Sequence, residues 1–489
     1  TNFTNSLLVG TDSTGTLDAA TGNTGVGTGV LGALTTGDNN VAVGLNALDV
    51  NTTGAENTAL GANALDANTT GEKNVAIGKD ALTTDTLGSR SIAIGHSSLK
   101  NQNFTSATNS NNVAVGFFAG EDITTAVCNT IIGSQAGEKI TTGSNNVAVG
   151  FDSLSSNTTG ANNVAVGKDS LKTNTTASGN TAVGESALEV TTTGCCNSAL
   201  GNGALQANTT GDNNVAVGQA ALAFATTADN NTAVGRFSMF CNTTGSENTA
   251  LGITSSFSNT TGSCNVALGR NALYTTTTGG QNIAIGTAAL YSNTTASDNT
   301  AVGSNALLAN TTASNNTAIG TSALADNTTG ASNTAVGKDT LLHSTTGANN
   351  VAVGQNALYE NTTGYINVSI GKDSMAANTT GQGNVAIGGS VLCDNTTGST
   401  NIAIGCAAMQ ENVTCGVNVG IGFCALFKNN GACNNALGNQ VLKCNTTGYQ
   451  NTGMGTMALC KNTTGYANTA FGKSALVDNT TGAGNVAVG

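Results

Sequence analysis

Asn350-Val351-Ala352-Val353-Gly354-Gln355-Asn356-Ala357-Leu358, followed two residues later by Asn361-Thr362-Thr363-Gly364, is one copy of a phrase written from one end of the chain to the other. We number it 1 to 17 from the first Asn: N-x-A-V-G-x-x-A-L-x-x-N-T-T-G-x-x. The Gly at position 5 can be followed without a gap from Gly10, Gly27 and Gly44 to Gly472 and Gly489, giving 29 landmarks. Of the 28 intervals, 26 are 17 residues long, one is 21 (Gly95 to Gly116) and one is 16 (Gly422 to Gly438). A short fixed period is the signature of a solenoid and overrides the several-domain expectation that 489 residues would otherwise raise.

Seventeen residues are too few for a helix pair and suit one coil of a β-solenoid with short strands and tight corners. The expected fold is therefore all-β, a single continuous β-solenoid (β-roll or β-helix) of about 28–29 coils. Position 4 is apolar in all 29 copies and position 9 is usually Leu or Met, as in Leu48, Leu222 and Met375. Period 2 puts positions 2 and 4 on one strand face. We expect that face, with position 9, to point into the coil. Position 3 is Ala in 23 copies and is then expected to face outward, where the Ala stripe would pack against another chain. Gly at 5 and 15 is expected to supply positive φ at the corners. A strand spacing of about 4.8 Å over the successive coils predicts a rod of roughly 130–135 Å.

Residues 1–37 are degenerate copies, with Leu8 and Gly25 in place of Ala and Leu34 in place of the corner Asn. Residues 38–489 form the regular array. Within it the long interval predicts a loop protruding near 100–111, Gly120 and Gly137 replace the Leu, and residues 393–460 hold seven of the twelve cysteines. No initiator Met or signal peptide is visible, and the chain stops mid-coil without a cap. We expect either further polypeptide or end-to-end stacking.

Only 9% of residues are charged, Pro and Trp are absent, and 38% are hydrophobic, which fits thin repeated layers better than an enzyme core. A net charge of −12 argues against nucleic acid and anionic membranes as partners, and no apolar run is long enough to insert in a membrane.

The phrases N-V-A-V-G and S-I-A-I-G (Ser91 to Gly95) resemble the head repeats of YadA-type trimeric autotransporter adhesins. The longer N-T-A-V-G-x-x-A-L…N-T-T-G form resembles repeats of phage, giant-virus and bacterial fibre proteins. The resemblance covers essentially the whole chain. It implies a left-handed β-roll, trimeric assembly and surface attachment. This chain departs from the adhesin heads in its longer period and shows no coiled-coil stalk or membrane anchor.

Little chemistry is expected. His96 and His343 fall at different repeat positions and have no phased Ser or carboxylate partner. The Lys-Asp pairs at 79–80, 168–169, 338–339 and 372–373 are adjacent, so their side chains are expected to point apart into solvent. No metal-binding spacing appears, and we expect no cofactor and no enzyme activity. The Asn-Thr-Thr corner recurs at Asn51, Asn68, Asn157, Asn174, Asn208, Asn242, Asn259, Asn293, Asn310, Asn327, Asn361, Asn378, Asn395, Asn445, Asn462 and Asn479. Each is formally an N-glycosylation acceptor. The other reading, which we favour, is a ladder of side chains bonded up the stack, because the Asn at position 1 recurs equally well without the acceptor motif. Cys406/Cys424, Cys415/Cys433 and Cys444/Cys460 fall on neighbouring coils about one residue out of register. Disulfides there would suit an extracellular chain; the other reading is small buried residues in a reducing compartment.

These features point to a structural subunit of an extracellular fibre or filament whose partner is another copy of itself, as a trimer or an end-to-end filament. The alternative is an adhesin or a viral or phage fibre shaft that meets host-surface glycans or receptors. Less favoured are an ice-binding protein, because Thr362 and Thr363 are adjacent and would face opposite ways, and a glycan-cleaving tailspike, because no carboxylate cluster departs from the repeat.

Overall fold

The computed structural model describes residues 5–10 and 19–489, and the chain divides into two units, Thr1–Ser246 and Glu247–Gly489. Both units are parallel β-solenoids with one three-residue strand per coil at positions 2–4, such as Val41–Val43 in the first and Val351–Val353 in the second. No helix occurs among the described residues. Within each unit the strands pair in parallel and in register with the strand of the next coil, as Val351, Ala352 and Val353 do with Val368, Ser369 and Ile370. The register holds across the 21-residue interval (Ile92 with Val113) and across the 16-residue interval (Val419 with Asn435). Part of the degenerate stretch 1–37, namely 1–4 and 11–18, lies outside the described residues.

The strand faces the opposite way from the sequence expectation. Ala352 is fully buried while Val351 is 37% exposed, and the same alternation recurs along the array. Position 3 points into the coil, and positions 2 and 4 point out. The cause is width. The interior at this level already holds Ala at position 8 and Leu at position 9, both buried, as Ala357 and Leu358 are. Only a methyl group fits opposite them. In two coils a larger neighbour goes with Gly at position 3: a Cβ on Gly420 would lie 2.9 Å from Met409 Cε, and one on Gly453 would lie 2.6 Å from Val441 Cγ1. The converse exchange explains Gly120 and Gly137. There Ile131 takes position 3 and Ile123 and Ile140 take position 12, all buried, and their methyl groups fill the space Leu would occupy. Total core volume is thereby conserved.

The corners are conformationally specialised. Gly354 has φ +129°, and a Cβ there would lie 2.6 Å from the carbonyl oxygen of Gly371 in the next coil. Positions 7, 9 and 17 are also left-handed, including the buried leucines (Leu358, φ +55°), a conformation costly for a bulky side chain and tolerated here because its burial offsets the cost. Gly at position 15, by contrast, does not adopt positive φ, contrary to expectation. It is small because it is crowded: a Cβ on Gly364 would meet Asn361 Oδ1 and lie 2.5 Å from the Gly381 carbonyl oxygen. Ala177 and Ala296 occupy the same position, so the crowding can be relieved.

Between position 12 and position 1 of the next coil every third residue is buried rather than every second, as Asn361, Gly364 and Asn367 are. In the regular coils this wall carries no strand ladder; backbone bonds such as Thr362 N–H to the Thr379 carbonyl (2.9 Å) join the coils, and side chains add to them. The long interval adds a second parallel pair, Gly88–Ser89 with Thr108–Asn109. Its loop is exposed at Thr105, Ser106 and Ala107 but anchored by the buried Phe104.

Candidate functional site

The corner asparagines are structural members of two ladders. At position 1, Asn350 Oδ1 accepts the backbone N–H of Asn367 in the next coil (3.0 Å), and its Nδ2 donates to the carbonyl of Gly364 at the far end of its own coil (2.9 Å). At position 12, Asn361 Nδ2 donates to the same Gly364 carbonyl (3.0 Å), and Asn378 Nδ2 donates to Asn361 Oδ1 (2.8 Å). Both lone pairs of one carbonyl are thus filled by amides from either end of the corner, which satisfies groups that would be costly to bury unpaired. Fifteen of the sixteen Asn-Thr-Thr asparagines are fully buried; Asn479, in the last coil, is half-buried. A sugar on any of the buried amides would have to open the ladder.

The ladder has a direction, each amide donating to the coil before it. It breaks wherever position 12 lacks a donor of the right length. Thr191 and Ser344 are such places, and the acceptors beneath them, Asn174 Oδ1 and Asn327 Oδ1, have no partner. Asp85 is a third, leaving Asn68 Oδ1 bare. Asp85 is itself buried and held by Gln102 Nε2 (2.6 Å) and Gly88 N–H (3.0 Å). Gln102 also donates to Ser91 (2.8 Å), which bonds Ser110, and accepts from Asn112 (2.8 Å). Burial pushes the Asp85 carboxyl above the usual carboxylate range despite these donors. The 16-residue coil is repaired by a side chain: Asn430 Oδ1 accepts the Val413 N–H (2.9 Å), standing in for a backbone carbonyl.

The two corner threonines differ. The position-13 hydroxyl donates to the next coil's position-13 carbonyl, as Thr362 does to Thr379 (3.1 Å), while Thr363 at position 14 is exposed.

Two expectations about charged groups need correction. The adjacent Lys-Asp pairs do meet, at 3.0 Å (Lys79–Asp80), 3.2 Å (Lys168–Asp169), 2.6 Å (Lys338–Asp339) and 3.6 Å (Lys372–Asp373). The left-handed backbone at the Asp turns its side chain back over the corner. His343 does have a carboxylate partner, Asp326 one coil away, with 2.7 Å between Nδ1 and Oδ2; its ring stands edge-on to Tyr359. No nucleophile is hydrogen-bonded to its other nitrogen among the described residues. His96 instead stacks on Phe117 (5.4 Å).

The disulfide expectation is also corrected. All twelve cysteines are free thiols in this structure, so Cys406–Cys424, Cys415–Cys433 and Cys444–Cys460 are not bridged in it; Cys424 and Cys460 are buried, whereas Cys406 and Cys433 are exposed. Register is the physical reason. Cys406 and Cys424 are joined by a backbone hydrogen bond between coils (3.1 Å), as are Cys444 and Cys460 (3.0 Å). One position of offset nevertheless turns the side chains apart: Cys406 is exposed where Cys424 is buried, and Cys460 is buried where Cys444 is only half-buried. Cys415 and Cys433 are further out of step. Cys415 holds position 15, where its carbonyl accepts Asn401 Nδ2 (3.0 Å). In the next coil that place belongs to Gly431, because the residue missing from the 16-residue interval lies between Asn429 and Gly431. Cys433 therefore falls at position 17, left-handed (φ +61°) and exposed. The Cys415 thiol is engaged elsewhere, its Sγ lying 2.8 Å from the Asn430 carbonyl oxygen. The Cys195 thiol is pushed up to about 11, chiefly by its hydrogen bond to Cys196. Among the described residues no cluster of His, Cys, Asp and Glu could hold a metal, and no helix is long and apolar enough to cross a membrane.

A further candidate surface is the outward strand face. Position 2 carries Val, Ile or Thr and position 4 carries Val, Ile or Leu in coil after coil, with Leu60 47% and Leu200 52% exposed. From the sequence this face belongs to the interior. Period 2 says which residues share a face, and only the width of the coil says which face is inside. The class these features define is the parallel β-solenoid of 17-residue coils. No protein-family model matches the chain, and no curated protein is similar to it.

Proposed function

We propose that the chain is a non-enzymatic structural subunit of an extracellular fibre, a stiff solenoid that associates side by side with other copies of itself. The observation that carries this reading is the outward strand face. An apolar column at position 4 is repeated in every described coil beside a position-2 column that mixes Val and Ile with Thr, whereas monomeric soluble proteins rarely expose contiguous apolar patches above a few hundred Å². A second copy is the partner that matches this face best, because its columns repeat at the same rise and can interdigitate coil by coil, about 10 Å away, as packed sheets do. The backbone and Asn ladders make each coil a template for the next, which supports a mechanical role. The resemblance of the strand phrase to adhesin heads favours a second reading, a fibre shaft that carries a host-attachment tip.

Sedimentation equilibrium of the full chain tests the assembly. The parent is expected to sediment as an oligomer. A variant carrying Val336→Lys, Val353→Lys and Ile370→Lys, three neighbouring outward positions, is expected to weaken association at least tenfold while keeping its β-type circular dichroism. A monomeric parent would sink the reading.

A further inference from the structure

We propose that the cleft above Ala376 in the second unit binds a neutral saccharide. Position 10 is a column that rings fill elsewhere: Phe257, Tyr274 and Tyr291 stack at 5.2 and 5.1 Å with interplanar angles of 9° and 2°. After Tyr359 that column continues with Ala376 and then Cys393, so no ring follows Tyr359. The gap is a cleft of about 480 Å³, walled by Tyr359 and floored by Ala376. That volume falls in the range of small-molecule sites, roughly 300–1,000 Å³.

The polar rim selects the ligand class. Both carboxylates in the cleft are already neutralised, Asp339 by Lys338 at 2.6 Å and Asp373 by Lys372 at 3.6 Å. The rim therefore offers no unpaired charge to attract a cation or an anion. Neutral donors and acceptors remain. The Gln355 amide and the Ser390 hydroxyl line the cleft and have no side-chain hydrogen bond among the described residues. Asn356 Nδ2 already donates to Asp373 Oδ1 (2.9 Å), which fixes the amide and leaves its oxygen free to accept. An aromatic wall with an electron-rich face, in one cleft with two amides and paired carboxylates, suits a ring whose C–H groups lie on one side and whose hydroxyls point outward. A neutral sugar has that construction. The site is independent of self-association, since it is lined by positions 6, 7 and 10 and not by the outward strand face.

The test is an array of neutral, sulfated and amine-bearing oligosaccharides probed with the labelled full chain, followed by saturation-transfer NMR on each bound glycan. Neutral glycans are expected to bind. Ala376→Tyr, which extends the aromatic column as Tyr274 and Tyr291 do, is expected to fill the cleft and reduce binding at least tenfold with the circular dichroism unchanged. Tyr359→Ala, which removes the wall, is expected to do the same. Binding confined to charged glycans, no neutral glycan bound at all, or an Ala376→Tyr chain that binds like the parent would each overturn the proposal.

Discussion

Asp85 sits where most coils carry Asn, and the exchange changes two energies at once. It leaves Asn68 Oδ1 without a donor and buries a carboxyl whose ionisation is opposed by desolvation. The folded chain therefore holds the Asp85 proton more tightly than the unfolded chain does. By linkage, the stabilising effect is fully present below the ordinary carboxylate value and is lost as pH rises through the raised folded one. Asp85→Asn is expected to donate to Asn68 Oδ1, keep Gln102 as a donor to its own oxygen, and raise stability near neutral pH by about 1–3 kcal/mol. Thermal unfolding between pH 4 and 8 checks this: the variant should lose less stability than the parent as pH rises, and an equal or lower midpoint at pH 7 would contradict it. Ser344→Asn is the uncharged counterpart. It should join Asn327 to Asn361 in one ladder and slow amide exchange in the coils around it, a local readout suited to a repeat protein whose unfolding is not two-state.

The coil itself separates two kinds of glycine that look alike in sequence. Gly354→Ala is expected to cost more than about 3 kcal/mol, because it adds strain at φ +129° to a clash with the backbone of the next coil. Gly364→Ala is expected to cost less than about 1 kcal/mol, because Ala177 and Ala296 show that the neighbouring atoms give way. Equal losses in denaturant titrations of the two variants would refute that division. The strand makes a parallel contrast. Ala352→Leu should overpack the interior and destabilise, while Val351→Thr, a residue many coils already carry there, should not. Much of the coil was legible in the sequence: the period, the parallel register, the buried Leu358 column and the shared face of Val351 and Val353. What was not legible follows from close packing. The inward turn of Ala352 depends on how little room Ala357 and Leu358 leave, and the cleft over Ala376 depends on a missing ring in the column next to the buried Leu column. The bond from His343 to Asp326 joins residues one period apart whose meeting depends on side-chain direction, which spacing alone does not supply. The same limit separates Cys415 from Cys433, because counting residues does not say where in the corner the short coil drops one.

For the whole molecule, the sequence period passes through the boundary at 246–247 without interruption, Gly235 and Gly252 being one repeat apart. Within a unit each coil rises about 4.8 Å, the spacing of a parallel strand ladder. With 47.9 kDa spread over 489 residues and 17 residues per coil, that rise corresponds to roughly 0.35 kDa per Å for a single solenoid. The measurement that reaches the central claim most directly is mass per length of unstained fibres of the full chain by scanning transmission electron microscopy. Side-by-side assembly through the outward strand face predicts rods with two or more times the single-chain value. Rods at the single-chain value, or compact particles without a long axis, would contradict it.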